Sequence, residues 1–154
     1  MAMQLTSEAF GEGEPIPAVH GCEGSDQSPP LAWSGIPTGT HSLVLICDDP
    51  DAPGGPFAHW AIYDIPPEVT SLEAGHSTPD APSSYPEGVN DFGRAAWGGP
   101  CPPTGHGTHH YHFRILALGV TQLDVADDAH VTDVEKAARE HILDEARLTG
   151  VYER

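Results

Sequence analysis

GGPCPPTGHGTHHY, residues 98–111, is a segment stiffened by proline that runs directly into a β-like alternation. From residue 108 to residue 118 the side chains alternate in character, as they do in a strand whose successive residues point to opposite faces. One face carries His109, Tyr111, Phe113 and Ile115, and the other carries His110, His112 and Arg114. The alternation predicts a strand whose His109 and Tyr111 point inward, while the second set meets water.

A second segment, residues 43–60, reads LVLICDDPDAPGGPFAHW. Its apolar run is unbroken and ends abruptly in acids, which is typical of a buried strand that reaches the rim of a core. Asp49 and Asp51 are therefore expected at the mouth of a cavity. In the next predicted strand, period-2 alternation puts one set of side chains on one face: Phe57, His59, Ala61, Tyr63 and Ile65. Ala58, Trp60 and Ile62 lie on the opposite face. This makes His59 a second candidate for an inward-pointing histidine.

The chain contains 17 Gly and 16 Pro spread among short β-like runs, a pattern that favours an antiparallel β sandwich over alternating strands and helices. Its length of 154 residues predicts a single domain over residues 1–154. Strands are predicted near residues 3–6, 42–47, 57–65, 108–119 and 150–152, with further strands in 17–19 and 31–33.

One helix is predicted near the C-terminal end of the sequence. Thr132 and Glu135 have the spacing of a capping box, in which each side chain satisfies a free backbone N–H group at the helix start. The apolar residues that recur every four positions are Val134, Ala138 and Ile142. They would form a buried stripe, so the helix is predicted over residues 133–148.

The chain is strongly acidic, with 23 acidic residues against 6 basic ones and a formal net charge of −17. Nucleic acids and anionic membrane surfaces attract proteins through basic patches, so the composition argues against nucleic acid or an anionic membrane surface as a partner. A surface this acidic is typical of halophilic proteins, in which salt screens the self-repulsion. An ordinary acidic protein is the alternative.

Three cysteines, Cys22, Cys47 and Cys101, have no metal-like spacing. Their odd number predicts three unpaired thiols in a reducing compartment, with a disulfide left open as the alternative. The first residues lack the basic and apolar regions of an export signal. No apolar run approaches the roughly 18 residues that a membrane-spanning helix needs. The sequence therefore predicts a cytoplasmic protein without integral membrane contact.

The quoted segments resemble the signature segments of the phosphatidylethanolamine-binding protein family, which includes Raf kinase inhibitor protein. The residues that carry the resemblance are Asp49–Pro53, His59–Trp60, Gly99–Pro103 and His109–Tyr111. The likeness extends over nearly the whole chain and is closest to the short bacterial and archaeal branch. It implies a β sandwich, a homodimer, and a non-catalytic binding protein of the kind whose relatives bind phospholipid head groups or inhibit kinases or proteases.

The predicted site is a small anion pocket. Imidazole N–H groups and a phenol can donate to phosphate oxygens, and a carboxylate can orient a histidine or receive an ammonium group. The resemblance implies contacts from Asp49, His59, His109 and Tyr111 to a phosphate or phosphoethanolamine-like head group. The whole candidate set is Asp49, Asp51, Pro53, His59, Gly99, Cys101, Pro102, His109 and Tyr111. From spacing alone, a turn-capping Asp49 and satisfied core histidines remain the alternative.

Three other functions compete with this pocket. The histidines that lie close in sequence are His106, His109, His110 and His112. They suit a metal-dependent hydrolase, but alternation divides them between two faces, so no metal and no cofactor are expected. Cys101 could act as a nucleophile, although it lies between prolines with no helix N-terminus to lower its pKa. The third alternative is an interaction protein whose acidic surface engages a basic partner.

The family usually has Arg at the position of His110, which the alternation places outside the pocket.

Overall fold

The computed structural model describes residues 2–154, which form seven strands, one α-helix and two short 3-10 turns. The strands are β1 (Gln4–Thr6), β2 (Leu31–Ser34), β3 (Ser42–Asp49), β4 (Phe57–Ile65), β5 (Ser71–Leu72), β6 (His109–Leu118) and β7 (Ile142–Tyr152). The helix α1 spans Val131–Ala138, and the 3-10 turns span Ala18–His20 and Arg139–His141. Within these residues no helix is long and apolar enough to cross a membrane.

Two antiparallel sheets pack face to face. One has the strand order β1-β2-β5 and the other β4-β3-β6-β7. Leu5 and Trp33 of the smaller sheet share one hydrophobic cluster with Leu45 and Phe113 of the larger sheet. The fold is thus mainly β, an antiparallel sandwich, as the sequence predicted.

The larger sheet is buried on both faces. A second cluster, which includes Val44 and Leu116 of the sheet together with Val134 and Ala138 of α1, covers the face turned away from the smaller sheet. Leu43 to Cys47 are all 0 % exposed, because each face of β3 meets apolar side chains. This double burial explains why the apolar run in β3 is continuous rather than alternating.

Strand bounds agree with the predictions within two residues for β1 to β4 and β6. The predicted strand at 17–19 is wrong, because this segment forms a 3-10 turn. The His20 N–H donates to the Pro17 carbonyl and the Gly21 N–H to the Ala18 carbonyl, both at 3.0 Å. These short-range bonds turn the chain back on itself and leave no extended backbone to pair.

The predicted helix over 133–148 is wrong in both its cap and its length. His130, not Thr132, is the N-cap: its side chain accepts from the Thr132 N–H, and the Asp133 carboxylate accepts from the His130 N–H. The helix ends at Ala138, and Ile142 begins β7. A spacing of four residues fits a strand as well as a helix, so Ile142 could satisfy either period. Pairing with β6 along ten positions decides in favour of the strand.

The facing predicted for β4 is correct from Phe57 to His59 and at Ile65, and wrong from Trp60 to Tyr63. Cys47 pairs with Trp60 and Asp48 with Ala58, so His59 is an extra residue, a β-bulge, between two register positions. Trp60 and Ile62 consequently join the core between the sheets, whereas Ala61 and Tyr63 face α1. His59 still points inward, because the bulge changes the alternation only from Trp60 onward.

Cys22 and Cys101 form a disulfide across 79 residues of sequence, and the buried Cys47 is a free thiol. The prediction of three unpaired thiols is therefore wrong. The spacing of the cysteines did not indicate this pair. The two residues meet because the segment after the first 3-10 turn packs on Pro100, where the Cys22 N–H donates to the Pro100 carbonyl at 3.1 Å. The expectation of a reducing compartment rested on three unpaired thiols, and it is no longer supported, because disulfides persist mainly in oxidising compartments.

Candidate functional site

A cavity of about 150 Å³ opens where β3 ends and where β4 and β6 begin. The three strand termini meet because β3 is antiparallel to both neighbours, with Asp49 opposite Phe57 and Asp48 opposite His112. The lining residues are Asp49, Ala52, Pro53, Phe57, His59, Phe92, Cys101, Pro102, Pro103, His109 and Tyr111. The two segments singled out in the sequence thus form opposite walls of one cavity.

The cavity brings together seven residues of the candidate set: Asp49, Pro53, His59, Cys101, Pro102, His109 and Tyr111. Alternation along β6 is confirmed, because His109 and Tyr111 are buried while His110 is exposed. These side chains point inward because Phe113 and Ile115 on the same face anchor the strand in the core.

Asp51 does not line the cavity. Its carboxylate lies outside and accepts hydrogen bonds from the His110 N–H at 2.8 Å and from His110 Nδ1 at 2.7 Å. The hydrogen bond from the His110 side chain lowers the pKa of Asp51. Asp51 and His110 therefore clamp the loop after β3 to the start of β6, on the water-facing side.

Gly99 does not line the cavity either. Its N–H donates to Asp26 Oδ1 at 2.8 Å, and it borders a neighbouring cavity instead. A Cβ at this position would lie 1.8 Å from the His20 carbonyl oxygen, so only glycine allows the two backbone segments to approach this closely.

Four lining residues were missed: Ala52, Phe57, Pro103 and Phe92. Phe57 lies on the correctly predicted face with His59, and Ala52 and Pro103 neighbour candidates in sequence, so these three could have been proposed. Phe92 lies in a loop far from the quoted segments, and its only sequence signal is that the stretch Asn90–Gly93 shares in the family resemblance. It packs against Phe57 with ring centroids 4.8 Å apart.

Asn90 holds the loop that carries Phe92. Its Nδ2 donates to the His59 and Ala96 carbonyls, and its Oδ1 accepts from the N–H groups of Phe92 and Arg94. A buried amide that makes four hydrogen bonds fixes the loop against β4. Phe92 is nevertheless 46 % exposed, so its ring forms part of the cavity rim.

Three side chains form a hydrogen-bonded chain beside the cavity. His109 Nδ1 donates to Asp49 Oδ2 at 2.6 Å, and the distance from His109 Nε2 to His106 Nδ1 is also 2.6 Å. Asp49 Oδ1 accepts from the Asp51 N–H at 2.8 Å. Because the carboxylate can only accept, the proton of a neutral His109 lies on Nδ1, and its Nε2 accepts from His106. Both ring nitrogens of His109 are thus engaged by protein groups.

His59 has one ring nitrogen available to a ligand. Its Nδ1 donates to the Gly98 carbonyl at 2.6 Å, which leaves Nε2 as the acceptor of a neutral ring. Burial lowers the pKa of His59, and this outweighs the opposing effect of the bond to Gly98. The side chain is only 3 % exposed, and its ring packs edge-on against Tyr111 with centroids 5.2 Å apart.

Tyr111 presents an unpaired hydroxyl. Among residues 2–154 its O–H has no hydrogen-bond partner, and in this part of the chain no fully buried side-chain nitrogen or oxygen lacks one. The hydroxyl of a side chain that is 1 % exposed must therefore reach the cavity that Tyr111 lines. Burial raises the pKa of Tyr111, as does the nearby charge of Asp49, so the hydroxyl keeps its proton.

Residues 2–154 contain no preformed centre for a metal-dependent hydrolase or for a Cys101 nucleophile. Within residues 2–154 no group of three or more His, Cys, Asp or Glu side chains is arranged to hold a metal ion. His112 bonds to Thr149 and His110 to Asp51, away from His109. Cys101 is in the disulfide, so its sulfur is not a thiolate and cannot act as a nucleophile.

A two-sheet β sandwich with a small, partly apolar cavity at one end of its larger sheet belongs to the class of small-ligand-binding β proteins. The family model described as phosphatidylethanolamine-binding protein matches residues 6–153, and the chain belongs to this family. Membership places it among binding proteins.

Relatives and solved structures agree with this assignment. A UPF0098 protein of Aquifex aeolicus is 45% identical over 99% of this chain and 89% of its own length. The crystal structure of Escherichia coli YbcL, described as a member of the mammalian family, superposes with a TM-score of 0.93 at 36% identity, covering 100% of this chain and 99% of YbcL. The Chlamydia trachomatis homologue CT736 superposes with a TM-score of 0.88 at 38% identity, covering 99% and 98% of the two chains.

Proposed function

We propose that this protein is a non-catalytic binding module whose cavity takes a phosphate-type group, such as inorganic phosphate or a phosphoethanolamine-like head group. The observation that carries the proposal is the pair of unpaired polar atoms, Tyr111 Oη and His59 Nε2, on side chains that are 1 % and 3 % exposed. Because neither atom is fully buried, both are open to the cavity, where water or a ligand can supply the missing hydrogen bonds.

The protonation state of these two groups favours one form of the ligand. Tyr111 donates its O–H, whereas neutral His59 accepts at Nε2. A phosphate monoester that keeps one proton supplies both partners, because a P–O⁻ oxygen accepts from Tyr111 and the P–OH group donates to His59. The singly charged form also suits a protein with a net charge of −17, since it brings less negative charge into the site.

The apolar walls set the size and the surroundings of the ligand. A cavity of about 150 Å³ is small compared with pockets for drug-sized molecules, which measure roughly 300–1,000 Å³. Pro53, Pro102 and Phe57 supply the apolar part of the wall. The other two polar side chains of the lining, Asp49 and His109, are already hydrogen-bonded to protein groups. Phe92 at the rim offers an apolar surface to whatever the phosphate is attached to.

The test is calorimetric titration of O-phosphoethanolamine and inorganic phosphate into matched variants. Tyr111→Phe removes only the hydroxyl and should weaken binding by about 1.5–3 kcal/mol, the range for a hydrogen bond to a charged group. Tyr63→Phe is the matched control, because Tyr63 is buried on the opposite face of the larger sheet. Equal affinity of the two variants would overturn the proposal. Binding of free phosphate and vesicles containing phosphatidylethanolamine, compared on the same variants, separates a small-molecule ligand from a lipid.

The absence of catalysis is part of the proposal. The Asp49–His109 pair lies beside the cavity, but His106 blocks the nitrogen that a general base would use. A screen with generic esters and phosphoesters is expected to show no turnover. Turnover that disappears in a His109→Ala variant would contradict the binding-only assignment.

Homodimer formation and regulation of a kinase or protease also remain proposals. The outer edge of β7 is covered near its end by the chain itself, since the Ile16 N–H donates to the Val151 carbonyl and the Val151 N–H donates to the Glu14 carbonyl. The uncovered part, residues 142–147, is the segment available for pairing with a second copy. Light scattering at low and molar salt tests the dimer, and a monomeric mass in both would remove it.

A further inference from the structure

A second cavity of about 360 Å³ adjoins the first and contains two opposite charges that do not pair. Its lining includes Asp26, Arg94, Trp97 and Phe92, as well as Gly99. The ion pairs of arginine within residues 2–154 all involve Arg114, so Asp26 and Arg94 are more than 4.0 Å apart. Phe92 belongs to both cavities, and the Cys22–Cys101 disulfide has one half-cystine in each lining.

Asp26 is held in place and keeps one carboxylate oxygen free. Its Oδ1 accepts from the Gly99 N–H at 2.8 Å, while Oδ2 has no hydrogen-bond partner in the described chain. The backbone of Asp26 has a φ of 54°, in the left-handed region that Asp and Asn tolerate better than most residues. Burial raises the pKa of this carboxyl, and the bond from Gly99, the field of Arg94 and the nearby indole N–H of Trp97 oppose the rise.

Arg94 is fixed through its backbone but not through its side chain. Its N–H donates to Asn90 Oδ1 at 3.1 Å, whereas its exposed guanidinium has no partner among residues 2–154. A lone cation beside Asp26 would be repelled by Arg94, and a lone anion beside Arg94 would be repelled by Asp26. Only a molecule that carries both signs of charge gains from both groups.

We infer that this second cavity is a binding site for small zwitterions of the amino-acid type. The ammonium group lies at Asp26 Oδ2, the carboxylate lies at the guanidinium of Arg94, and the intervening carbon atoms contact the ring of Phe92. The inference does not rest on the phosphate site, because neither charged residue lines the first cavity.

The test is an NMR titration of the isotope-labelled full chain with glycine and β-alanine. The reporters are the amide signals of Gly98 and Gly99 and the indole N–H of Trp97, all in the lining of the second cavity. Both zwitterions should shift these signals saturably. Acetate and ethylammonium, which carry one charge each, should not do so at the same concentrations.

Two variants assign the charges. Asp26→Asn keeps the acceptor for Gly99 and tolerates the positive φ, and Arg94→Gln changes an exposed side chain, so both should fold. Each should weaken zwitterion binding by about tenfold or more. Asp124→Asn and Arg139→Gln, exposed elsewhere, make the same charge changes and should bind as the unaltered chain does. The inference is overturned if neither zwitterion shifts the reporters, if acetate binds as well, or if a folded Arg94→Gln variant keeps full affinity.

Discussion

In the proposed anion site, His59 is the side chain whose protonation would couple ligand binding to pH. Because burial lowers its pKa, the free protein holds His59 neutral above the ordinary value of 6.5, and protonation occurs below it. A bound anion stabilises the imidazolium and raises the pKa of His59 in the complex. Affinity for an anion therefore rises as pH falls through the pKa of the complex, and levels off below the pKa of the free protein.

We expect glycerophosphoethanolamine, a phosphodiester that stays singly charged, to bind more tightly as pH falls below about 6.5. His59→Asn should remove this dependence, because the Asn amide can still donate to the Gly98 carbonyl but does not titrate. His112→Asn, on the water-facing side of β6, is the control and should keep the profile. Calorimetry at several pH values decides, and an unchanged slope in His59→Asn would assign the titration to another group.

His106 limits what His109 can offer to a ligand, because its Nδ1 occupies His109 Nε2. His106→Ala should free that nitrogen as an acceptor for a P–OH group of the phosphate, while Nδ1 stays bonded to Asp49. The expected result is phosphate binding that is stronger by up to about tenfold, or about 1.4 kcal/mol. If the variant binds phosphate more weakly than the unaltered chain, His106 itself contacts the ligand. Thr104→Ala, exposed in the same loop, controls for general loosening.

At the scale of elements, the disulfide joins two loops that carry no regular structure. Cys22 follows the 3-10 turn Ala18–His20, and Cys101 lies in the proline-rich wall of the first cavity. A cross-link between residues 79 positions apart removes conformational freedom mainly from the unfolded chain. It also holds the wall at Pro102 against the segment that positions Asp26.

Replacing both Cys22 and Cys101 by Ser should lower the free energy of unfolding by about 2–4 kcal/mol. Urea denaturation with and without reductant measures the loss. The unaltered chain should become less stable on reduction, and the double variant should not respond, since its remaining Cys47 is a buried free thiol. Identical unfolding curves for the oxidised and reduced unaltered chain would mean that the bond does not form in solution.

For the whole molecule, the net charge of −17 is the dominant electrostatic property. Like charges on a compact surface repel one another, and this repulsion is strongest when the Debye length is long, at low ionic strength. Few ion pairs offset it: Arg114, with Asp48 and Glu135, is the only arginine in the described chain that forms one.

The melting temperature should therefore rise steeply with KCl if the surface is halophilic. A variant with Asp124, Asp127 and Asp128 replaced by Asn carries three fewer negative charges on one exposed segment and should need less salt to reach the same melting temperature. Thermal denaturation followed by circular dichroism measures both. A flat profile between roughly 0.1 and 2 M KCl would reject the halophilic interpretation.

Features that depend on local periodicity could be predicted from the amino-acid sequence. Alternation in β6 placed His109 and Tyr111 inward and His110 outward, and the unbroken run in β3 indicated a buried strand that reaches the rim of the core. The order of its motifs also indicated the family. Period-2 and apolar patterns are visible within about ten residues, because they reflect which face of a single strand meets the core.

Features that depend on contacts between distant segments could be seen only in the folded structure. The pairing of Cys22 with Cys101, the entry of Phe92 into the rim and the departure of Asp51 toward His110 leave no trace in local spacing. The helix ends at Ala138, and the chain then pairs with the edge of β6 along ten positions. This pairing contributes more free energy than the helical preference of a few residues. Long-range contacts fixed these features because their energy comes from packing and pairing between segments that the sequence separates.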